Sequence, residues 1–218
     1  MLVRDCMSKK LITIDEDTPI IKAFRIMKDN NIRRLLVIRN EKLIGVITDR
    51  DLKEATPSKA TSLDVHEIYS LLSEIKIKDI MSKDLLTIGP DESIEKAAML
   101  MLQKKISGLP VVEGGNLVGV ITQTDIFKAL VDISGLTRGG VKIAVELPDI
   151  PGTTQEVINI IRTHGGRILS VMTSYNVDKE GHRHLFVRTD MEEKKLHELL
   201  EVIGKRFKVL YAIKDVMV

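Results

Sequence analysis

A chain of 218 residues with 33 basic and 31 acidic side chains carries almost no net field, and the balance holds on both sides of Gly140, so the one-sided positive surface of a nucleic-acid binder is not expected. Charges at Arg4, Asp5, Lys9 and Lys10 break up any apolar leader core, and nowhere do about 18 apolar residues run together, so no membrane partner is expected and the chain reads as cytoplasmic. The single cysteine, Cys6, excludes an internal disulfide and reads as a small buried residue.

The segment from Val3 to Ala55 returns from Ile77 to Ala129 at a constant offset of 74 residues, without a gap and with 22 of 53 positions identical. Each copy of such a repeat cannot bury its apolar face alone, so the two are expected to pack on each other. In copy one, Leu11 to Ile14 reads as a short strand. Asp17 or Thr18 can cap a helix that accepts Pro19 in its first turn and carries Ile20, Ala23, Phe24 and Met27 on one face. Leu35 to Ile38 and Leu43 to Thr48 then form a hairpin around residues 39–42, and Asp51 opens a short helix. A linker over 57–76 follows, with Val65, Ile68, Leu72 and Ile75 at helical spacing behind a capping box of Asp64 and Glu67. Copy two repeats the pattern, placing Gly114 and Gly115 in the tight turn between Leu109 to Val112 and Leu117 to Thr122, and Asp125 at its last helix. Both copies, 1–56 and 77–135, are thus β-α-β-β-α.

From Val141 the pattern changes. VKIAVEL, ILSVMTSYNV, HRHLFVRT and FKVLYAI read as strands, with helices over Thr153 to His164 and Glu192 to Lys205 and a turn over 178–181. This βαββαβ order over 141–218 is a ferredoxin-like layout. The fold class is α+β.

The residues shared by the two copies, Met-Ser, apolar-Thr-apolar, a helix, an apolar strand and Gly-x-apolar-Thr-x-x-Asp, resemble the CBS domain, which occurs as tandem pairs that bind adenosyl nucleotides. The third part, with ELPDIPGTT after its first strand, resembles an ACT domain, although Thr154 stands where that family has leucine. The whole arrangement is similar to the acetoin-utilisation protein B family. The resemblance implies a regulatory sensor of AMP, ADP, ATP or S-adenosylmethionine, with no required cofactor and with homodimers as its assembly.

Thr48 and Asp51, like Thr122 and Asp125, lie three apart where a strand hands over to a helix. The carboxylate can accept from both hydroxyls of a ribose, and the threonine and free helix amides suit phosphate; equally, the pair can simply cap the helix. The CBS resemblance further implies purine contacts from Thr13, Ile14, Thr87 and Ile88, with Ile32 to Leu36 and Ile106 to Pro110 lining the cleft. Here the copies differ: Arg33 and Arg34 stand against Ser107 and Gly108, and Arg50 against Thr124. Guanidinium forks suit phosphate, so if these arginines line a cleft, that site is expected to favour a phosphorylated nucleotide and the other a neutral or smaller ligand; an ordinary solvated surface is the competing reading. The ACT resemblance implies an amino acid bound near Asp149, Ile150, Pro151 and Gly152; a plain strand-to-helix turn is the competing reading. His182 and His184 point the same way on one strand but lack further ligands at metal-binding spacing. No glycine-rich phosphate loop, nucleophile elbow or Cys/His pair is present, so no catalytic residue and no enzyme activity is expected. The alternative to a sensor is a dimerisation module with vestigial clefts.

Overall fold

A computed structural model describes residues 1–40, 42–56, 64–177 and 179–215. Two compact units divide at Ile126 and Phe127. The first contains helices α1 (Val3–Cys6), α2 (Ile20–Asp29), α3 (Asp49–Glu54), α4 (Val65–Glu74), α5 (Ile77–Ile80) and α6 (Ile94–Lys104), with strands β1 (Thr13–Asp15), β2 (Arg34–Arg39), β3 (Lys42–Thr48), β4 (Gly108–Glu113) and β5 (Asn116–Thr122). Helix α7 (Gln123–Ile133) contains the division.

The hairpins β2–β3 and β4–β5 share one register: Arg34 pairs with Thr48 as Gly108 pairs with Thr122, 74 residues on. Gly114 and Gly115 both take positive φ, as their tight turn requires. In copy one Asn40 takes the first of these positions, and Glu41 of the expected turn lies outside the described residues. The expected strand at the head of each copy forms as β1 in copy one, parallel to β2. In copy two it shrinks to a single bridge between Ile88 and Val111. Gly89 and Pro90 follow there, and proline has no N–H to give a ladder. The cap expected of Asp17 or Thr18 is also absent: Pro19 is the N-cap of α2 and makes no side-chain bond, while the equivalent Ser93 accepts from the Lys96 amide at 3.2 Å. The Asp64–Glu67 box is present, with reciprocal bonds of 2.9 and 2.8 Å. Helix α7 runs eleven residues where a short helix was expected.

The two copies exchange their leading segments. Val3 N donates to Glu92 O (2.8 Å) and Arg4 N to Pro90 O (2.9 Å), and 74 residues on Ile77 N donates to Thr18 O (3.0 Å) and Lys78 N to Glu16 O (2.9 Å). Ser8 likewise pairs with Val120 in both directions, and Ser82 with Val46. Such reciprocal contacts are the signature of a two-fold arrangement, here internal to one chain. The motif glycines follow from it. A Cβ on Gly45 would lie 3.2 Å from Ser82 O and 3.0 Å from Met81 Cγ; one on Gly119 would lie 3.2 Å from Ser8 O and 3.1 Å from Met7 Cγ. The core of copy one accordingly gathers Ile20, Ala23 and Met27 of α2, Leu35 and Val37 of β2 and Ile47 of β3 with Leu72 of α4 and Ile77 of α5, from beyond the copy itself. Each fully buried Leu or Ile in it is worth about 1.5–3 kcal/mol of transfer free energy.

The second unit holds β6 (Val141–Pro148), α8 (Thr153–Thr163), β7 (Arg167–Ser174), β8 (His182–Asp190), α9 (Glu193–Gly204) and β9 (Lys208–Ile213). This is the βαββαβ order read from the sequence, with Asp178 of the predicted turn outside the described residues. The antiparallel sheet runs β7-β8-β6-β9. Alternate residues Val141, Ile143, Val145 and Leu147 of β6 and Leu185 and Val187 of β8 meet Val157 and Ile161 of α8 and Leu199 and Ile203 of α9. Arg188, buried at 3% exposure, donates to Ser134 O (3.1 Å), Gly139 O (3.2 Å) and Asp215 Oδ2 (2.6 Å). That guanidinium fastens the segment before β6 and the segment after β9 to the sheet.

Among the described residues no helix is long and apolar enough to cross a membrane, and no group of three or more His, Cys, Asp or Glu side chains is placed to hold a metal.

Candidate functional site

Where β3 hands over to α3, Asp51 Oδ2 accepts from the Thr48 amide (2.8 Å) and hydroxyl (2.7 Å), and Thr48 Oγ1 accepts from the Asp51 amide (3.3 Å). Thr122 and Asp125 repeat this at 2.9, 2.6 and 3.4 Å. Both pairs therefore cap their helices, which is one of the two roles the spacing offered. The capping bonds use Oδ2. Among the described residues, Oδ1 of either aspartate takes no hydrogen bond, so capping leaves one carboxylate oxygen for a ligand.

Thr48 and Asp51 open into a cleft of about 410 Å³, the size of a small-molecule site. Copy one supplies Arg34, Val46, Thr48 and Asp51; copy two supplies Ser82, Asp84, Leu85, Leu86, Lys104, Ile106, Gly108 and Pro110. The exchange of Met-Ser segments brings the second wall to the first, because Ser82 is bonded to Val46 and the chain after it runs along the cleft.

Six residues expected at the site meet here: Arg34, Thr48, Asp51, Ile106, Gly108 and Pro110. Thr122 and Asp125 hold the equivalent station of the other copy. Thr13 and Ile14 lie on β1 and Ile88 at its bridge, with Ile14 and Ile88 each 5% exposed; Thr87 follows the wall residue Leu86. Of the three arginines only Arg34 lines the cleft. Arg33 is exposed, and Arg50 is turned outward onto Glu54 at 2.8 Å. Sequence reasoning missed Val46, Ser82, Asp84, Leu85, Leu86 and Lys104. The repeated Met-Ser-Lys-x-Leu run was the available signal, since a segment kept in both copies without alternating as a strand has some other task.

Arg34 crosses between the copies. Its Nη1 donates to Gly108 O, its Nη2 to Ser107 Oγ (3.3 Å), and its Nε is buried without a partner. Residues 34 and 108 are equivalent in the repeat, so they face each other across the internal axis. A Cβ on Gly108 would lie 2.9 Å from Arg34 Nη1, so the glycine makes room for the guanidinium. Burial lowers the affinity of Arg34 for its proton, and the nearby Asp51 charge works the other way.

In the second unit, Gly152 takes φ of 93° at the start of α8, and Ile150 is exposed. Asp149 lies 3.5 Å from Arg183 Nε, and Arg183 Nη2 donates to Thr154 Oγ1 (2.9 Å) and Thr153 Oγ1 (3.3 Å). Arg183 was not expected here. It gives Thr154 a polar partner that a leucine at that position could not accept from. His182 Nδ1 is 3.2 Å from Glu180 O, and His184 packs edge-on against Phe186.

The CBS domain family matches the chain twice, over residues 3–58 and 77–132, together more than half of its length. Among solved structures, the CBS domain pair of protein MJ0100, in complex with 5′-methylthioadenosine and S-adenosyl-L-methionine, is 30% identical with a TM-score of 0.50; the match covers 60% of this chain and 95% of that one. CBSX2 in complex with AMP is 27% identical with a TM-score of 0.51, covering 61% and 97%. A putative acetoin utilization protein from Vibrio cholerae is 27% identical with a TM-score of 0.53, covering 63% and 96%.

Proposed function

This chain belongs to the CBS-domain family, and on that footing we propose that it is a cytoplasmic regulatory protein whose cleft binds an adenosyl ligand and performs no reaction on it. The observation that carries the reading is the cleft of about 410 Å³ walled by both copies, with the Thr48–Asp51 pair in its wall. Asp51 uses the oxygen left free by capping to accept from the ribose hydroxyls. Main-chain groups from Leu85 to Ile88 take the purine. The structures of MJ0100 and CBSX2, solved with adenosyl compounds, support the ligand class. A ligand that prefers one arrangement of the two copies shifts the chain toward it, which is how binding becomes a signal.

The same reading gives the second unit, over 141–218, the role of an ACT-like domain that takes an amino acid beside Asp149, Ile150, Pro151 and Gly152. Its strand order, β7-β8-β6-β9, is that of a ferredoxin-like sheet and supports this assignment. The likeness to the Vibrio cholerae protein supports placement near the acetoin-utilisation proteins. A homodimer is supported by α6, where Met99 and Leu102 are 58% and 75% exposed at stations that carry Arg25 and Lys28 in copy one. That face also favours the second reading, a pairing module whose clefts are idle.

A thermal-shift panel over AMP, ADP, ATP, S-adenosylmethionine and amino acids separates the two. A ligand at 100 times its Kd adds about 2.7 kcal/mol to the unit that binds it. Stabilisation by at least one adenosyl compound is expected; a flat response to all of them leaves the pairing module.

A further inference from the structure

We propose that Arg34 is a single cation shared by two ligand stations, so that a ligand beside Asp51 and a ligand beside Asp125 compete for it and weaken each other. The proposal rests on the adenosyl reading above and adds a regulation which that reading does not contain.

The repeat places residue 34 at both stations. Residues 34 and 108 are equivalent, and both line the cleft at Asp51. The exchange of segments that ties Ser82 to Val46 also ties Ser8 to Val120, so the same two residues belong to the surroundings of Asp125. The strand register agrees. Arg34 pairs with Thr48 of one station, and the Gly108 carbonyl that accepts from its Nη1 belongs to the residue paired with Thr122 of the other. The side chain thus starts beside one station and ends beside the second.

No second guanidinium fits on the axis, because even a Cβ on Gly108 would lie 2.9 Å from Arg34 Nη1. Arg34 also holds donors in reserve. Of its five N–H groups the bonds to Gly108 O and Ser107 Oγ use two, and Nε is buried without a partner. Asp51 accepts none of them among the described residues, since its Oδ2 is taken up by the Thr48 cap. Unfilled donors on a charge drawn out of water favour any acceptor that a ligand presents. Once a ligand at one station supplies that acceptor, the guanidinium is neutralised and turned toward it, and the other station loses its pull. Two sites that draw on one group carry a coupling free energy, and the coupling is reciprocal: each ligand lowers the affinity for the other by the same factor.

Calorimetric titrations of the full chain with AMP and with S-adenosylmethionine, both of which carry acceptors for a guanidinium, test this. Asp125→Asn leaves the Asp51 station alone, and Asp51→Asn leaves the other. For independent stations, the two stepwise association constants of the unaltered chain multiply to the product of the constants of the two single-station chains. The shared arginine is expected to make that product at least about tenfold smaller, the worth of one charge-assisted hydrogen bond. An unaltered chain that takes one equivalent although both single-station chains bind is the same result at its limit. Arg34→Gln is expected to restore the equality at about 0.15 M salt, where direct repulsion between two bound anions is largely screened. Gly108→Ala crowds Nη1 off the axis and keeps the charge, and it too should shrink the coupling, so the assignment does not hang on one variant folding. A product in the unaltered chain that is equal or larger overturns the proposal, and so does a coupling that survives both substitutions. Binding by only one of the single-station chains also overturns it, because there is then no second station to share with. Silence of both ligands in every chain removes the adenosyl reading itself, and the shared arginine with it.

Discussion

Replacing Gly45 by alanine tests the exchange of segments directly. The new Cβ would sit 3.0 Å from Met81 Cγ, closer still to Met81 Sδ, and 3.2 Å from Ser82 O. The methionine side chain can swing away. The carbonyl cannot, because Ser82 is tied to Val46 by bonds of 2.9 and 3.0 Å, so relief requires moving the segment that delivers copy two to the cleft. Overpacking of this kind costs about 1–3 kcal/mol. Two substitutions calibrate the measurement. Gly89→Ala meets only Glu92 Cγ at 3.5 Å, the flexible part of a side chain, and Gly204→Ala meets nothing within 4 Å. The first should be close to neutral, and the second should stabilise by up to about 1 kcal/mol through the unfolded chain. Amide hydrogen exchange read by mass spectrometry follows the two units separately, so a loss confined to residues 1–126 is the expected signature. A Gly45→Ala cost below about 0.5 kcal/mol, or one equal to that of Gly89→Ala, would refute the claim that this glycine exists for the partner segment.

Asp51→Ala should lower stability by about 1 kcal/mol without any ligand, because a capping box is lost, and should also weaken adenosyl binding roughly tenfold; urea denaturation and titration on the same sample check both effects. Arg188→Met leaves Asp215 and two carbonyls without their donor and should cost about 3 kcal/mol, the low end for a broken buried pair because Asp215 is one-third exposed, with exchange rising in residues 127–215 only. Acid should destabilise both units. Glu16 and Asp17 are held below the usual carboxylate range by hydrogen bonds from Arg39 and Lys78, and Glu146 by one from Lys208. The unfolded chain then binds more protons than the folded one, so this stability is full above the ordinary carboxylate pKa and is lost as pH falls through the depressed folded values. Urea midpoints measured from pH 7 down to pH 3 should fall, and Arg39→Met should flatten the share of the fall in the first unit that Glu16 contributes.

Elements were legible in the sequence wherever a local rule decided them. The hairpins, the Asp64–Glu67 box, the βαββαβ order and the spacing of Thr48 with Asp51 all follow from neighbours a few residues apart. The misses come from chemistry at single positions that overrode the repeat. Pro90 prevented the strand that copy one forms at the same station, and Pro19 took the cap expected of Asp17 or Thr18. The cleft itself was only half legible. One wall is given by the motif that ends each hairpin, while the other comes from the opposite copy, and similarity between copies does not say which segment of one reaches the other.

One observation in the sequence could have resolved this. Close to a two-fold axis, a residue faces its own equivalent, so the two stations share one volume and cannot both hold a long side chain. Arg34 against Gly108 is therefore a complementary pair, and a difference between the copies marks the axis more reliably than an identity does. Where both copies keep the same residue, as with Gly45 and Gly119, the constraint comes from a contact made twice, away from the axis. Where they differ as sharply as arginine and glycine, the constraint comes from a contact made once, on it. A single contact on the axis also makes the surroundings of Asp51 and Asp125 chemically unequal, because the guanidinium that glycine admits can point toward only one of them at a time. In this chain it joins the wall beside Asp51.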